Sequence, residues 1–283
     1  MKKSQKTAQI NSHQARRPVG VFDSGLGGLT IVREIRKALP DEDIVYFGDM
    51  ARLPYGTKSK EQILTYSIQN TLFLIKHKVK AVVIACNSSS SAAYQFLKNH
   101  FNLPVVDVIA PAAQAAVDAT RSARIGLIAT QATVDSKAYE KALKKQLPKA
   151  RVFTSACPLF VPLVEEGWLD GKITRQVAET YLAPLLKNKI DTLILGCTHY
   201  PLLRKAIAGV IGPKIRLVDS IEPTVRKLSS LLEAKGLSYP KTAGTNGRIK
   251  LNIYVSDSPR NFIRVGEKFL GQKLNHVEVV RQK

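Results

Sequence analysis

Two cysteines stand where a thiol can do proton chemistry. Cys86 follows the apolar run Ala81–Ala85 and precedes Asn87 and four serines, Ser88 to Ser91. Cys197 follows Thr192–Gly196 and precedes Thr198 and His199. Each is read at the carboxyl end of a parallel strand, where ligands of open α/β sheets bind. The dipole and free N–H groups of a following helix favour a thiolate there, and such a turn can hold an amino acid's carboxylate with no cofactor. Two thiols on facing lobes can take a proton from one face of a stereocentre and return one to the other. Each is then base in one direction and acid in the other. The alternative is that both are small buried core residues, a common place for free cysteines. Asn87, Ser88, Thr198 and His199 supply polar groups beside the sulfurs. Asp23 and Ser24 lie at an earlier strand end, where Asp23 orients an ammonium group, assists one thiol's proton traffic, or is an ordinary N-cap or turn aspartate.

Other chemistries fit less well. There is no Cys-x-x-Cys, and Cys197-Thr-His199 is a poor ligand pair by spacing, so no metal is expected. A Cys197–His199 hydrolase is disfavoured because residues two apart on a new helix diverge and no third group is evident to orient the histidine. Gly25-Leu-Gly-Gly28 lacks the third glycine of the dinucleotide fingerprint, so no nucleotide cofactor is expected. Its better reading is a tight turn whose N–H groups approach a small anion.

The elements that must position these residues alternate. Val19–Phe22, Ile44–Phe47 and Ala81–Ala85 read as strands, with a helical face over Leu29–Leu39, a capping-box helix from Ser59, and another helix from near Asn87. The second half repeats the plan: Arg124–Ala129 matches Pro18–Phe22, and Thr192–Gly196 matches the strand before Cys86. Gly20 to Cys86 is 66 residues and Gly126 to Cys197 is 71. The tail reads as helix (Thr224–Leu232), a turn-rich loop (Thr242–Gly247), strand (Ile249–Val255) and helix (Asn261–Leu270). The fold class expected is therefore α/β: two pseudo-symmetric lobes, each a parallel sheet flanked by helices, with the active site in the cleft between them. Residues 18–110 with 223–283 are assigned to the first lobe and 111–222 to the second; residues 1–17 are read as a mobile basic extension.

The chain's 283 residues are about twice the usual domain length of roughly 150. Hydrophobic residues make up 45%, which excludes a disordered chain. No apolar stretch approaches the roughly 20 residues of a membrane span, no signal peptide is read, and three cysteines are too few for a disulfide framework, so a reducing, cytoplasmic setting is expected. The 43 basic against 22 acidic residues leave +21. That charge either attracts polyanions or keeps the surface soluble.

The segments Gly20–Gly28, Asp49 with Pro54-Tyr-Gly56, Cys86-Asn87, Cys157–Gly167 and Leu195–Leu203 together resemble the glutamate racemases of the aspartate/glutamate racemase family. The likeness runs from about Pro18 to the C-terminal region. The resemblance implies a cofactor-independent exchange of L- and D-glutamate for peptidoglycan synthesis, with Cys86 and Cys197 as the acid/base pair. It implies that Asp23, Glu165 and His199 assist the thiols. It also implies that Asp23, Ser24, Tyr55, Gly56, Asn87, Ser88, Thr198 and His199 contact substrate. Thr130 and Thr133 occupy the second lobe's corresponding turn and either line the pocket or cap a helix. Where the family usually has Thr-Ala after Cys-Asn, this chain has Ser88 and Ser89. A homo-oligomer and a cell-wall precursor activator are left open as partners. Aspartate racemase is the rival within the class, and a nucleic-acid or gyrase-binding protein the rival outside it, with direct nucleic-acid binding not expected.

Overall fold

The computed structural model describes residues 13–240, 250–257, 259–274 and 276–281. The Thr242–Gly247 loop lies outside the described residues. The first sheet contains β1 (Val19–Asp23), β2 (Ile44–Gly48), β3 (Ala81–Ile84), β4 (Val105–Val106), β9 (Leu251–Val255) and β10 (Glu278–Val279). The second contains β5 (Arg124–Ala129), β6 (Arg151–Ala156), β7 (Thr192–Gly196) and β8 (Arg216–Val218). Their orders are β10-β9-β2-β1-β3-β4 and β6-β5-β7-β8, and every pairing is parallel. The order 2-1-3-4 thus recurs as 6-5-7-8. In both, the strand preceding the cysteine lies beside the central first strand, at the point where the winding reverses direction. Strands β1, β2, β3 and β7 are buried along their whole length, as sheets covered on both faces require. The last long strand, β9, returns to pair with β2 in the first sheet.

The covering helices are α1 (Leu29–Ala38), α2 (Lys60–Lys76), α3 (Asn87–His100), α4 (Ile109–Ala119), α5 (Gln131–Asp135), α6 (Ala138–Gln146), α7 (Phe160–Glu165), α8 (Lys172–Lys187), α9 (Arg204–Ile211), α10 (Ile221–Ala234) and α11 (Pro259–Leu270). Helix α2 starts where the capping box predicts: Ser59 accepts from the Gln62 N–H at 3.2 Å, a cap contributing about 1 kcal/mol.

The repeat is finer than the strand pattern shows. Helices α2 and α8 end in Lys76-His-Lys-Val79 and Lys187-Asn-Lys-Ile190, and both turns place a lysine in the left-handed region, Lys78 at φ 55° and Lys189 at φ 51°. Val79 and Ile190 then press on the glycines of the central strands. A Cβ on Gly20 would lie 3.0 Å from Val79 Cγ1, and one on Gly126 would lie 2.6 Å from Ile190 Cδ1.

The next residue, Lys80 or Asp191, closes the floor of each sheet. Asp191 accepts from Thr120 Oγ1 at 2.6 Å, the Arg121 N–H at 2.7 Å, and Ser122 N–H and Oγ at 2.6 and 2.8 Å, holding the segment before β5. Lys80 is buried, ion-paired with Glu42, and donates to the Ala15 carbonyl at 2.6 Å. This corrects the reading of residues 1–17 as one mobile extension. Ala15 is itself buried and tied to the body, because the floor of the first sheet needs a partner for Lys80. Residues 1–12 lie outside the described residues.

Candidate active site

The carboxyl ends of both sheets meet. Ser24, Leu53, Pro54, Tyr55, Gly56, Cys86, Asn87, Ser88, Thr130, Val161, Cys197, Thr198 and His199 line one small cavity between the lobes. Both Cys86 and Cys197 border it, one from each lobe. The cavity measures about 20 Å³, room for about one water, so the lobes are closed too tightly to admit a five-carbon amino acid as they stand. Close approach at two glycines explains the fit. A Cβ on Gly27 would fall 2.2 Å from Thr198 Oγ1, and one on Gly56 would fall 2.6 Å from Thr130 Cβ. Side chain-free backbone is what lets the two lobes touch here. A second cavity of about 380 Å³ shares Leu53, Pro54, Gly56, Thr130 and Val161 with the first.

Cys86 caps α3, its sulfur accepting from the Ser89 N–H at 3.5 Å. In the thiol form it donates to Ser24 Oγ at 3.7 Å. Burial, and then the Asp23 carboxylate, push the Cys86 thiol up to about 11 against the pull of these donors. The next residue, Asn87, is buried; its side-chain carbonyl accepts from Tyr139 OH at 2.7 Å, while its amide Nδ2 has no partner among the described residues. Its fixed carbonyl leaves that N–H pair as a ready donor for a carboxylate.

Cys197 differs from the expectation. No α-helix begins after it, because Pro201 has no N–H to bond the Cys197 carbonyl. Tyr200 N–H takes that carbonyl at 3.2 Å in a tighter turn, a 3₁₀ turn over Tyr200–Leu203 follows, and α9 starts only at Arg204. As a result Cys197 and His199 converge instead of diverging. Sγ lies 3.9 Å from Nδ1, and Nε2 lies 3.2 Å from Glu165 Oε1. The third group, which the spacing around Cys197 did not reveal and the resemblance named, is thus Glu165, at the end of α7. Burial works against a charge on His199, but the Cys197 sulfur and the Glu165 carboxylate outweigh it and raise its pKa to about 10. Phe269 packs edge-on against the imidazole with ring centroids 5.5 Å apart.

Asp23 is fully buried behind this layer, and burial raises its pKa despite the nearby His199. It accepts from the Gly25 N–H at 3.0 Å and from Thr198 Oγ1 at 3.5 Å. The glycine turn therefore wraps the protein's own carboxylate and not a free anion as expected. Ser88 Oγ meets Thr130 Oγ1 at 2.9 Å and Thr133 Oγ1 at 3.4 Å, with the two threonines 3.1 Å apart. This hydroxyl cluster bridges the lobes, and Thr130 makes no side-chain cap to α5. Tyr55 borders the cavity, but its hydroxyl is committed to Asp49 and to Asn70, whose amide donates at 3.1 Å. Asp49 also accepts from Ser256 Oγ at 2.8 Å. Asp49, Asn70, Tyr139 and Phe269 are thus site supports that the sequence reasoning assigned no role. Of these only Asp49, quoted beside Pro54-Tyr-Gly56, carried a signal. Among the described residues no group of three or more His, Cys, Asp and Glu is arranged to hold a metal.

Residues 28–228 match the family model described as Asp/Glu/hydantoin racemase. The glutamate racemase of Geobacter metallireducens is 49% identical over 259 residues, covering 92% of this chain and 94% of that one. The crystal structure of glutamate racemase from Francisella tularensis in complex with D-glutamate superposes with a TM-score of 0.88 at 40% identity, over 95% of this chain and 99% of that one. Escherichia coli glutamate racemase, in complex with L-glutamate and activator UDP-MurNAc-Ala, gives 0.74 at 27% identity, over 94% and 98%.

Proposed function

The chain belongs to the Asp/Glu/hydantoin racemase family, and from that premise we propose that it interconverts L- and D-glutamate by proton transfer between the substrate α-carbon and two cysteines. The observation that carries this reading is that Cys86 and Cys197, at equivalent strand ends of the two lobes, border one cavity. One thiolate removes the α-proton from one face while the other thiol delivers its proton to the opposite face. The reverse reaction exchanges their roles. The partners differ: His199 with Glu165 serves Cys197, and serine donors with Asp23 behind them serve Cys86. The unpartnered Asn87 amide, the Thr198 hydroxyl and the Ser88 hydroxyl are the donors for the substrate's carboxylates, and Asp23 is the counter-charge for its ammonium group. Parting Gly56 from Thr130 joins the two cavities that share these residues and makes room for glutamate.

Supplying D-glutamate for peptidoglycan in the cytoplasm is the cellular role that the reading carries. No helix among the described residues is long and apolar enough to cross a membrane. Given the activator complex of the E. coli relative, UDP-MurNAc-Ala is the effector to try first.

The test is polarimetry of glutamate and aspartate with the parent protein and with Cys86→Ser and Cys197→Ser. Glutamate turnover lost in each folded variant supports the reading. Turnover of aspartate in preference to glutamate, or a racemising double variant, overturns it. The Cys197–His199–Glu165 chain favours a second reading, a thiol hydrolase. That reading predicts an acyl-enzyme burst with an ester substrate, independent of Cys86.

A further inference from the structure

Ser89 carries a hydroxyl that the proposed chemistry leaves unused. The residue is wholly buried, its Oγ has no hydrogen-bond partner among the described residues, and an unmet buried hydroxyl in a native fold calls for a reason. It lies on the first turn of α3, three residues after Cys86, and its own N–H already points at the Cys86 sulfur from 3.5 Å. The second neighbour is Ser24 Oγ, at 3.7 Å. The Ser89 N–H and the Ser24 hydroxyl ease ionisation of Cys86 against burial and the Asp23 carboxylate, and the Ser89 hydroxyl adds to them when it faces the sulfur. Among the described residues Cys86 has no imidazole beside it comparable to His199 at Cys197.

We propose that Ser89 is a positioning residue for Cys86: its hydroxyl turns onto Sγ as the proton leaves, giving the thiolate a third donor beside the Ser24 hydroxyl and the Ser89 N–H. The thiol proton passes between Sγ and the substrate α-carbon. Ser89 keeps its own proton throughout and forms no bond to substrate. When the thiol is restored, the Ser89 hydroxyl is released, which is the state described above. The inference rests on the racemase reading for its purpose, but not for its test.

The experiment is site-resolved alkylation of the full chain with iodoacetamide across pH, read by peptide mass spectrometry at Cys86 and Cys197, for the parent and Ser89→Ala. The Cys86 midpoint is expected to rise by about half to one pH unit, with alkylation below it slowed roughly threefold, while Cys197 is unchanged. Ser89→Gly removes the same hydroxyl and is the second variant should alanine disturb folding. An unmoved Cys86 curve in the folded variants overturns the proposal, as does an equal shift at both cysteines, which would mark general loosening of the site. A purely structural hydroxyl would change the unfolding temperature and not the Cys86 midpoint. No substrate enters this measurement, so failure of the parent to racemise glutamate would count against the racemase reading alone.

Discussion

His199 shows how one side chain's surroundings decide its charge. An imidazole buried to this degree would normally be neutral, yet contact with the Cys197 sulfur and Glu165 lifts it to about 10. An imidazolium there sets a positive charge 3.9 Å from the Cys197 sulfur, with the Glu165 carboxylate 3.2 Å away on its far side. Glu165→Gln removes one of the two negative partners. It should bring the alkaline limb of kcat/KM to lower pH and cost roughly tenfold to a hundredfold at pH 8, a share of the factor general acid–base groups supply. A pH–rate profile checks this; an unmoved limb would contradict it. The same shift is a stability contribution. A histidine raised in the folded state stabilises fully below its unfolded value near 6.5 and loses that contribution as pH rises through about 10. Denaturant midpoints of the parent and His199→Asn should therefore differ most below about pH 6.5 and converge above about pH 10.

At the level of elements, much is legible in the sequence. The strands are short apolar runs bounded by turns, and Arg124–Ala129 and Thr192–Gly196 are found with the bounds read for them. Such runs are locally encoded, so the doubled α/β plan followed from them. The new helix expected directly after Cys197, from the strand-to-helix plan of the first lobe, is absent because Pro201 has no N–H for the helical bond and so decides the local hydrogen bonding. The Tyr139–Asn87 bond joins residues 52 apart, and no local pattern announces it. The turns before β3 and β7 hold a further lesson: Lys80 and Asp191 occupy equivalent positions with opposite charge, and both gather the segment leading into the lobe's first strand. Asp191 has a depressed pKa because donors from Thr120, Ser122 and Arg121 outweigh its burial. Asp191→Ala should destabilise the protein by about 2–3 kcal/mol through loss of charge-assisted hydrogen bonds, read by urea unfolding. Because a depressed carboxylate stabilises above its unfolded pKa, the parent's advantage over the variant should shrink as pH falls below about 4. An equal midpoint for both at neutral pH would contradict this role.

Across the whole molecule, function depends on how closely the lobes meet. Glycine at position 27 allows Thr198 to reach Asp23 from the other lobe. Gly27→Ala places a methyl 2.2 Å from Thr198 Oγ1 and 2.7 Å from its Cβ. Closure should then fail by about an ångström, a misplacement that can cost on the order of a hundredfold in turnover. Circular dichroism melting and glutamate turnover measured together check this; full activity would show that the contact is not needed.

The central claim is that two different thiols work on opposite faces of one carbon. It is tested most directly by running the reaction in D₂O from each enantiomer of glutamate and following Cα deuterium separately in the two pools. The account predicts that deuterium enters the product enantiomer first, from L- and from D-glutamate alike, while the unreacted substrate stays protiated at early times. Deuterium appearing equally early in the unreacted pool would mean a single base serving both faces and would contradict it.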